Sequence, residues 1–425
     1  MANKKKILDL HKAAHGKTQI MPKVPLDTLE DLSVYYTPGV AQVSEEIERN
    51  PASVYNYTSK SNTIAIVSDG TRILGLGDIG PQAGLPVMEG KAILFKKFGG
   101  VDAVPLCIDT TDEDKIIEFV RNISPTFGGI NLEDIESPKS FRIAGRLEKE
   151  LDIPVFHDDR QGTGTVALAA LINSLRLAGK GKGCRIVING AGSAGFGITM
   201  QLAHYGFGNM VVVDSDGAIY RGRKENMNRF KSEIAMATNR QKRSGTLEDL
   251  LKGADVFIGA STAGAFSKDY VAIMAQKPIV FALANPIPEI EYADALDAGA
   301  FIAATGRSDS PNQVNNLLAF PGIMRGLLDS RARKVTYQML NSAAQTLANS
   351  VGKGLRRNRI LPSPLEKGFS PGIVSEVAAS VAVAAAKGDM ARHRLTYSAE
   401  REAAERIISD YLVFENSSIP SRLRY

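Results

Sequence analysis

The stretch that most restricts the fold is Arg185 to Asp214, RIVINGAGSAGFGITMQLAHYGFGNMVVVD. An apolar run ends in Gly190, Gly192 and Gly195, in the register G-x-G-x-x-G. A helix-forming stretch follows, and a second apolar run closes on Asp214, nineteen residues beyond Gly195. This spacing predicts a strand, a tight turn, a helix and a parallel strand. The first glycine turns the chain, the second lets backbone approach a pyrophosphate, and the third brings the helix close to the sheet. A dinucleotide would lay its phosphates on Gly190, Gly192, Ser193, Ala194 and Gly195, where unpaired N–H groups and the helix dipole favour anions. Asp214 stands where an acid accepts the ribose hydroxyls of the adenosine half. Its charge argues for NAD, because it would repel a 2′-phosphate. Arg221, Arg223 and Lys224 follow closely and keep NADP open.

The unit belongs to a longer α/β rhythm. NTIAIVSDG (62–70), VDAVPLCID (101–109), GGINLEDI (128–135) and LDIPVF (151–156) read as strands, and TDEDKIIEFVRNI between the second and third reads as a helix with an acidic first turn. TGTVALAALINSLRLAG reads as a helix with Thr163 or Thr165 as cap and a stop from Gly179 to Gly183. RIVING, MVVVD, ADVFIGAS, KPIVFALANP and AFIAATG give the later strands. The expected fold class is α/β: an N-terminal α/β substrate and metal domain joined to a Rossmann-type, doubly wound domain, with a helical C-terminal tail. The hand-over falls near 155–165, giving spans 1–160, 161–390 and 391–425. The 425 residues exceed what one core usually serves.

Composition excludes several classes. Two cysteines, Cys107 and Cys184, cannot build a disulfide framework or a thiolate zinc site, and they suit a reducing cytoplasm. No apolar run approaches the roughly 20 residues of a membrane span. The basic N-terminus lacks the apolar core of a secretory signal. A net charge of +5 is mild and scattered, without basic runs interleaved with aromatics, so neither nucleic acid nor membrane is expected as a partner.

Charge at the strand ends is the second constraint. VFHDDRQGTG places Asp158 and Asp159 at the end of a buried run, and NLEDIES places Glu133 and Asp134 likewise. Two carboxylates about 4 Å apart repel by roughly 4 kcal/mol at an effective dielectric near 20. That is a large share of the about 5–15 kcal/mol that stabilises a domain. Such a cluster needs protons, cationic neighbours or a bound cation, and oxygen ligands without thiolates select Mg²⁺ or Mn²⁺. Three more groups qualify as functional. Tyr36 precedes Thr-Pro-Gly, a turn that can aim a phenol. Arg72 opens a glycine-rich stretch that ends with Lys91 on an apolar helix, where burial would lower its pKa and suit it to act as a base. Asn285, Asn315 and Asn316 follow strand ends, where amides can hold carboxylates or a carboxamide.

Taken in order, YYTPGVA, TRILGLGDIG, EGKAILF, the Glu-Asp pair, FHDD, GAGSAG, ALANP and ATGRSDSPNQVNN resemble the malic enzymes, in their short bacterial and archaeal form, over roughly residues 30–330. The resemblance implies Tyr36 as general acid, Lys91 as general base and Asp158 as the carboxylate partnering the lysine. It implies Glu133, Asp134 and Asp159 as ligands of Mg²⁺ or Mn²⁺, Arg72 as the clamp on the substrate carboxylate, and Asn285, Asn315 and Asn316 as substrate-contacting amides, Asn285 also near the cofactor. The implied reaction is oxidative decarboxylation of (S)-malate to pyruvate and CO₂ with NAD or NADP, in a cytoplasmic homodimer. Arg160-Gln161 departs from the Gln-His usual in short members and leaves the subgroup open. A malolactic outcome, releasing lactate with NAD retained, would fit nearly the same sequence. A non-catalytic sensor of malate or nucleotide is the alternative of another class.

Overall fold

The computed structural model describes residues 3–74 and 76–418; Gly75 of the glycine-rich stretch and the last seven residues of the expected tail lie outside it. Two parallel sheets organise the chain. The first holds β1 (Thr63–Ser68), β2 (Asp102–Cys107), β3 (Gly129–Leu132) and β4 (Val155–His157) in the order β2-β1-β3-β4. The second holds β5 (Ile186–Asn189), β6 (Met210–Asp214), β7 (Gly217–Ala218), β8 (Val256–Gly259), β9 (Ile279–Ala282) and β10 (Ile302–Thr305) in the order β10-β9-β8-β5-β6-β7. All pairings are parallel except the short β6–β7 hairpin. In β1, β3 and β4 every residue is buried, which is why they read as unbroken apolar runs rather than alternating ones.

Both sheets reverse winding direction internally. In the first, β1 sends its chain to β2 on one side while β3 pairs on the other, so the carboxyl ends of β1 and β3 open a crevice. In the second, β5 lies between β6 and β8 and makes the same kind of crevice. Ligands of open α/β sheets bind at such points.

The expected helix after Asp159 runs Thr163–Ala178 and stops at Gly179, whose φ of 72° is left-handed. Neither expected threonine caps it. A wide helical turn over Asp158–Gly162 leads straight in, so the backbone is already helical at Gly162. The Thr165 hydroxyl instead donates to the Gln161 carbonyl at 2.7 Å.

Beyond β10 the chain returns as helices Phe320–Asp329, Tyr337–Ser350, Val374–Lys387 and Tyr397–Ser418. They pack on one another and on the helix Gly80–Gly99 of the first lobe. Phe95 packs tilted against Phe320 with ring centres 4.6 Å apart, and Phe98 meets Phe369 edge-on. The segment Phe369–Lys387 is long and apolar enough to cross a membrane, which the sequence reading missed, yet in this fold it is an inner helix with Val377, Ala378, Val381 and Ala382 fully buried. The N-terminal helices Lys4–Ala14, Leu29–Tyr35 and Val40–Arg49 bury no residue of their own chain, and Ile20, Leu29 and Val34 point outward.

Candidate active site

The acidic groups converge at the carboxyl ends of β3 and β4. Glu133 leaves β3 and Asp134 follows in left-handed backbone, φ 52°, uncommon for a residue with a side chain. Asp158 and Asp159 leave β4 in the wide turn. One oxygen from each of Glu133, Asp134 and Asp159 lies within 4.8 Å of the other two. Burial, and then the neighbouring carboxylates, push Asp134 up to about 9. Asp159 is raised to about 6 by burial and Glu133, while Lys91, the backbone N–H of Asp134 and the Arg72 charge pull the other way. The fold thus assembles three oxygen donors that cannot all be ionised comfortably unless a cation joins them. This fits a hard divalent ion and no thiophilic one.

Lys91 rises from the middle of the Gly80–Gly99 helix and is buried. It pairs with Asp158, stands 2.9 Å from Glu133, and sits 4.1 Å over the Phe320 ring. The expectation of a lowered pKa is corrected here. Burial does disfavour the ammonium, but Asp158 and Glu133 outweigh it and hold the lysine above its ordinary value. Asp158 is wholly buried and is raised to about 7, chiefly by burial and against the pull of Lys91. Its Oδ2 also accepts from the Asn316 amide, while Oδ1 has no partner among the described residues. A Cβ at Gly162 would lie 1.9 Å from that Oδ1, so glycine is what lets the carboxylate sit there.

The structure therefore brings together Lys91, Glu133, Asp134, Asp158, Asp159 and Asn316, with the Arg72 charge within reach of Asp159. Asn315 lies one step away: its side-chain Oδ1 caps the turn beginning at Asn316, accepting from Leu317 N at 3.0 Å. Asn285 is exposed at the end of the β9 loop beside Gly306. Tyr36 does not join the group. It ends the Leu29–Tyr35 helix as a residue 69% exposed, and among the described residues no hydrogen bond ties it to the cluster. His157, beside the acids in sequence, is a neutral imidazole that burial pushes down to about 3; among the described residues neither ring nitrogen has a partner, and the ring packs near Phe141.

At the second crevice the glycines behave as their spacing implies. A Cβ at Gly190 would strike the Ala260 carbonyl at 2.2 Å, and one at Gly195 would strike Gly190 O at 2.0 Å. At Gly192 a Cβ would meet nothing within 4 Å, which leaves room over the N-terminus of helix Ser193–Tyr205 for a pyrophosphate. Asp214 ends β6 as expected, but it is not a bare carboxylate. Arg223 grips both its oxygens at 2.9 and 2.5 Å, and Lys231 reaches Oδ2 at 2.8 Å. Burial opposes ionisation there, yet the two cations hold Asp214 below the usual carboxylate range. Arg221 and Lys224 remain exposed.

Sequence reasoning missed several supporting groups. Asn131, on β3, donates to Glu133 Oε2 at 2.8 Å, and the side-chain Oε1 of Gln161 accepts from His157 N at 2.9 Å. Glu289 is wholly buried and accepts from Ser261 N and Ala284 N, binding the ends of β8 and β9 together behind the glycine turn. Polar residues within apolar runs, such as Asn131, and an acid after Pro288 were the available signals.

Comparison with known proteins places this geometry. A family model described as malic enzyme, N-terminal domain, matches residues 15–148, and one described as malic enzyme, NAD binding domain, matches residues 160–388. The chain is 50% identical over 380 residues to the bifunctional malic/malolactic enzyme of Bacillus subtilis, covering 89% of this chain and 93% of that protein. It is 48% identical to the NAD-dependent malic enzyme of Geobacillus stearothermophilus, over 89% of this chain and 78% of the other. The crystal structure of a malic enzyme from Pyrococcus horikoshii superposes with a TM-score of 0.92 at 45% identity, covering 97% of each chain. Two domain models that together match residues 15–148 and 160–388, and a superposition over 97% of the chain, establish that the chain belongs to the malic enzyme family.

Proposed function

We propose that this protein converts (S)-malate to pyruvate and CO₂ while reducing NAD or NADP. The observation that carries the reading is the meeting of Glu133, Asp134 and Asp159 within 4.8 Å of one another beside the buried Lys91–Asp158 pair. Glu133, Asp134 and Asp159 would hold Mg²⁺ or Mn²⁺, and Gly190, Gly192, Ser193, Ala194 and Gly195 the dinucleotide phosphates. Held by these residues, the cation would supply Lewis acidity toward the substrate oxygen and the dinucleotide would be the acceptor of the C2 hydride.

The chain's own groups do the rest. Arg72 holds a substrate carboxylate by charge, with Asn285, Asn315 and Asn316 lining the approach. Lys91 takes the C2 hydroxyl proton. It can do so only after releasing the proton it carries, and Asp158, in direct contact, is the acceptor at hand. Loss of CO₂ from C4 leaves its electron pair in an enolate, which needs a proton at C3, and a phenol is the fitting acid.

The exposure of Tyr36 supports a homodimer in which Tyr36 of the partner subunit supplies that proton. The outward Ile20, Leu29, Val34 and Tyr35 give the same N-terminal segment an apolar face for a second copy to cover. The spans 1–160, 161–390 and 391–425 are proposed as substrate and metal domain, dinucleotide domain and helical tail, in a cytoplasmic protein. Malate with NAD and with NADP, with and without Mn²⁺, followed at 340 nm, tests the reading: Mn²⁺-dependent growth of reduced cofactor supports it. Lactate without reduced cofactor would move the assignment to the malolactic outcome, and no turnover at all would leave a sensor.

A further inference from the structure

We propose that Lys139 and Asp69, with Thr71, form a buried positioning device that holds the Arg72 loop and the Asp134 backbone in register, and so sets affinity for the substrate carboxylate and the divalent ion. The inference rests on the reading of the site given above. Lys139 opens the helix Lys139–Glu150, where a cation opposes the helix dipole, and it is buried. A lysine is costly in such a place unless an anion is fixed beside it. That anion is Asp69, the residue after β1, 2.7 Å from Lys139 Nζ and wholly shielded at its side chain. The contact lacks the angles of a directed hydrogen bond, so it acts through charge.

The other oxygen of Asp69 explains what the pair is for. Asp69 Oδ1 accepts from Thr71 N at 3.1 Å and from the Thr71 hydroxyl at 2.6 Å. The Thr71 hydroxyl in turn accepts from Glu136 N at 3.0 Å. One residue on, Arg72 N donates to the Asp134 carbonyl at 3.1 Å. The loop after β1 is thus stitched to the loop after β3 at two points, across the crevice where those strands part. One loop carries the Arg72 guanidinium and the other carries Glu133 and Asp134. Left-handed backbone at Asp134 aims its carbonyl at Arg72, and only a framed loop holds a non-glycine residue there. Lys139 touches none of the groups placed in the chemistry, so it is a positioning residue.

Lys139→Met and Lys139→Arg, each compared with wild type, test this. Groups that orient ligands typically change affinity by about 10–100-fold when removed. Lys139→Met is expected to raise KM for malate and Kd for Mn²⁺, the latter read from the free-ion EPR signal without turnover, each by about tenfold or more. Its kcat should stay within about threefold, because Lys91 and Asp158 are untouched. Lys139→Arg should restore both constants. Should Lys139→Met fail to fold, Thr71→Val decides, since it cuts the stitch to Glu136 but keeps the ion pair. A several-fold rise in KM for malate and in Kd for Mn²⁺ supports the device. Unchanged constants in folded Lys139→Met or Thr71→Val protein, with only a lower melting temperature, overturn it. If wild type does not turn malate over, the functional reading fails instead, and the Mn²⁺ titrations still judge the positioning role.

Discussion

The C-terminal helix Tyr397–Ser418 carries Glu400 into a site with one arginine and two carboxylates. Glu400 is wholly buried, and neither of its oxygens finds a donor among the described residues. Its polar neighbour is Asp329, which Arg325 already grips at 2.7 and 2.5 Å, and Arg325 also donates to Asn62. Two acceptors face each other with nothing to donate between them unless one carries a proton. The guanidinium lies on Asp329, so the proton falls to Glu400. Burial, and then Asp329, raise Glu400 to about 9, with Arg325 opposing. For an acid raised in the folded state, stability is greatest below the unfolded value of 4.5 and drains away as pH climbs to about 9. At pH 7 the folded protein must keep a proton that the unfolded chain releases, at 1.36 kcal/mol for each pH unit above 4.5, or about 3 kcal/mol. Glu400→Gln keeps the shape, needs no proton and offers Asp329 an N–H. It should therefore stabilise the protein by about 3 kcal/mol at pH 7. For a chain of this length that is about 4 °C in melting temperature. The gain should grow toward pH 9 and shrink toward pH 5. Melting curves by circular dichroism for both proteins from pH 5 to pH 9 measure it. A Glu400→Gln protein with the wild-type pH slope, or one less stable at pH 8, would refute the shared-proton argument.

Three shorter predictions bear on the site. Lys91→Met should lower kcat for malate oxidation by about 10²–10⁴-fold, the usual worth of a general base, while NADH binding followed by fluorescence is kept; a loss under tenfold would remove Lys91 from that role. Tyr36→Phe should lose malate oxidation by orders of magnitude yet retain some reduction of oxaloacetate, which bypasses the enolate; equal loss of both would count against the acid assignment. Mixing inactive Lys91→Met and Tyr36→Phe proteins under subunit exchange should restore about a quarter of wild-type sites if each site takes Tyr36 from the partner subunit, and none if it does not.

Much of this was legible before any coordinates. Glycine spacing gave the second crevice because a turn that tight admits no Cβ at Gly190 or Gly195. The strands were legible because both faces of each inner strand are covered, so their runs are uniformly apolar. The acids stood out because charge at the end of a buried strand demands compensation. What stayed hidden depends on contacts between distant segments. The resemblance pairs Asp158 with Lys91, 67 residues away, but the second anion, Glu133 at 2.9 Å, and the joint effect of the two that reverses the expected direction of the lysine's pKa come only from the fold. Asp214 reads as a free ribose acceptor until the chain folds Arg223 and Lys231 onto it. The threonine caps failed because a helical turn begins earlier, at Asp158, and leads into the helix without the extended residue that a capping threonine needs. The exposure of Tyr36 is invisible in a motif, which records neighbours in the chain and not neighbours in space.

The central claim is that Glu133, Asp134 and Asp159 share one divalent cation next to Lys91. Mn²⁺ titrated into wild type and Asp159→Asn, with free Mn²⁺ followed by EPR, tests it directly. Wild type should bind one Mn²⁺ per chain and Asp159→Asn should lose that site while still binding NADH. Equal Mn²⁺ binding by the two proteins would contradict the account.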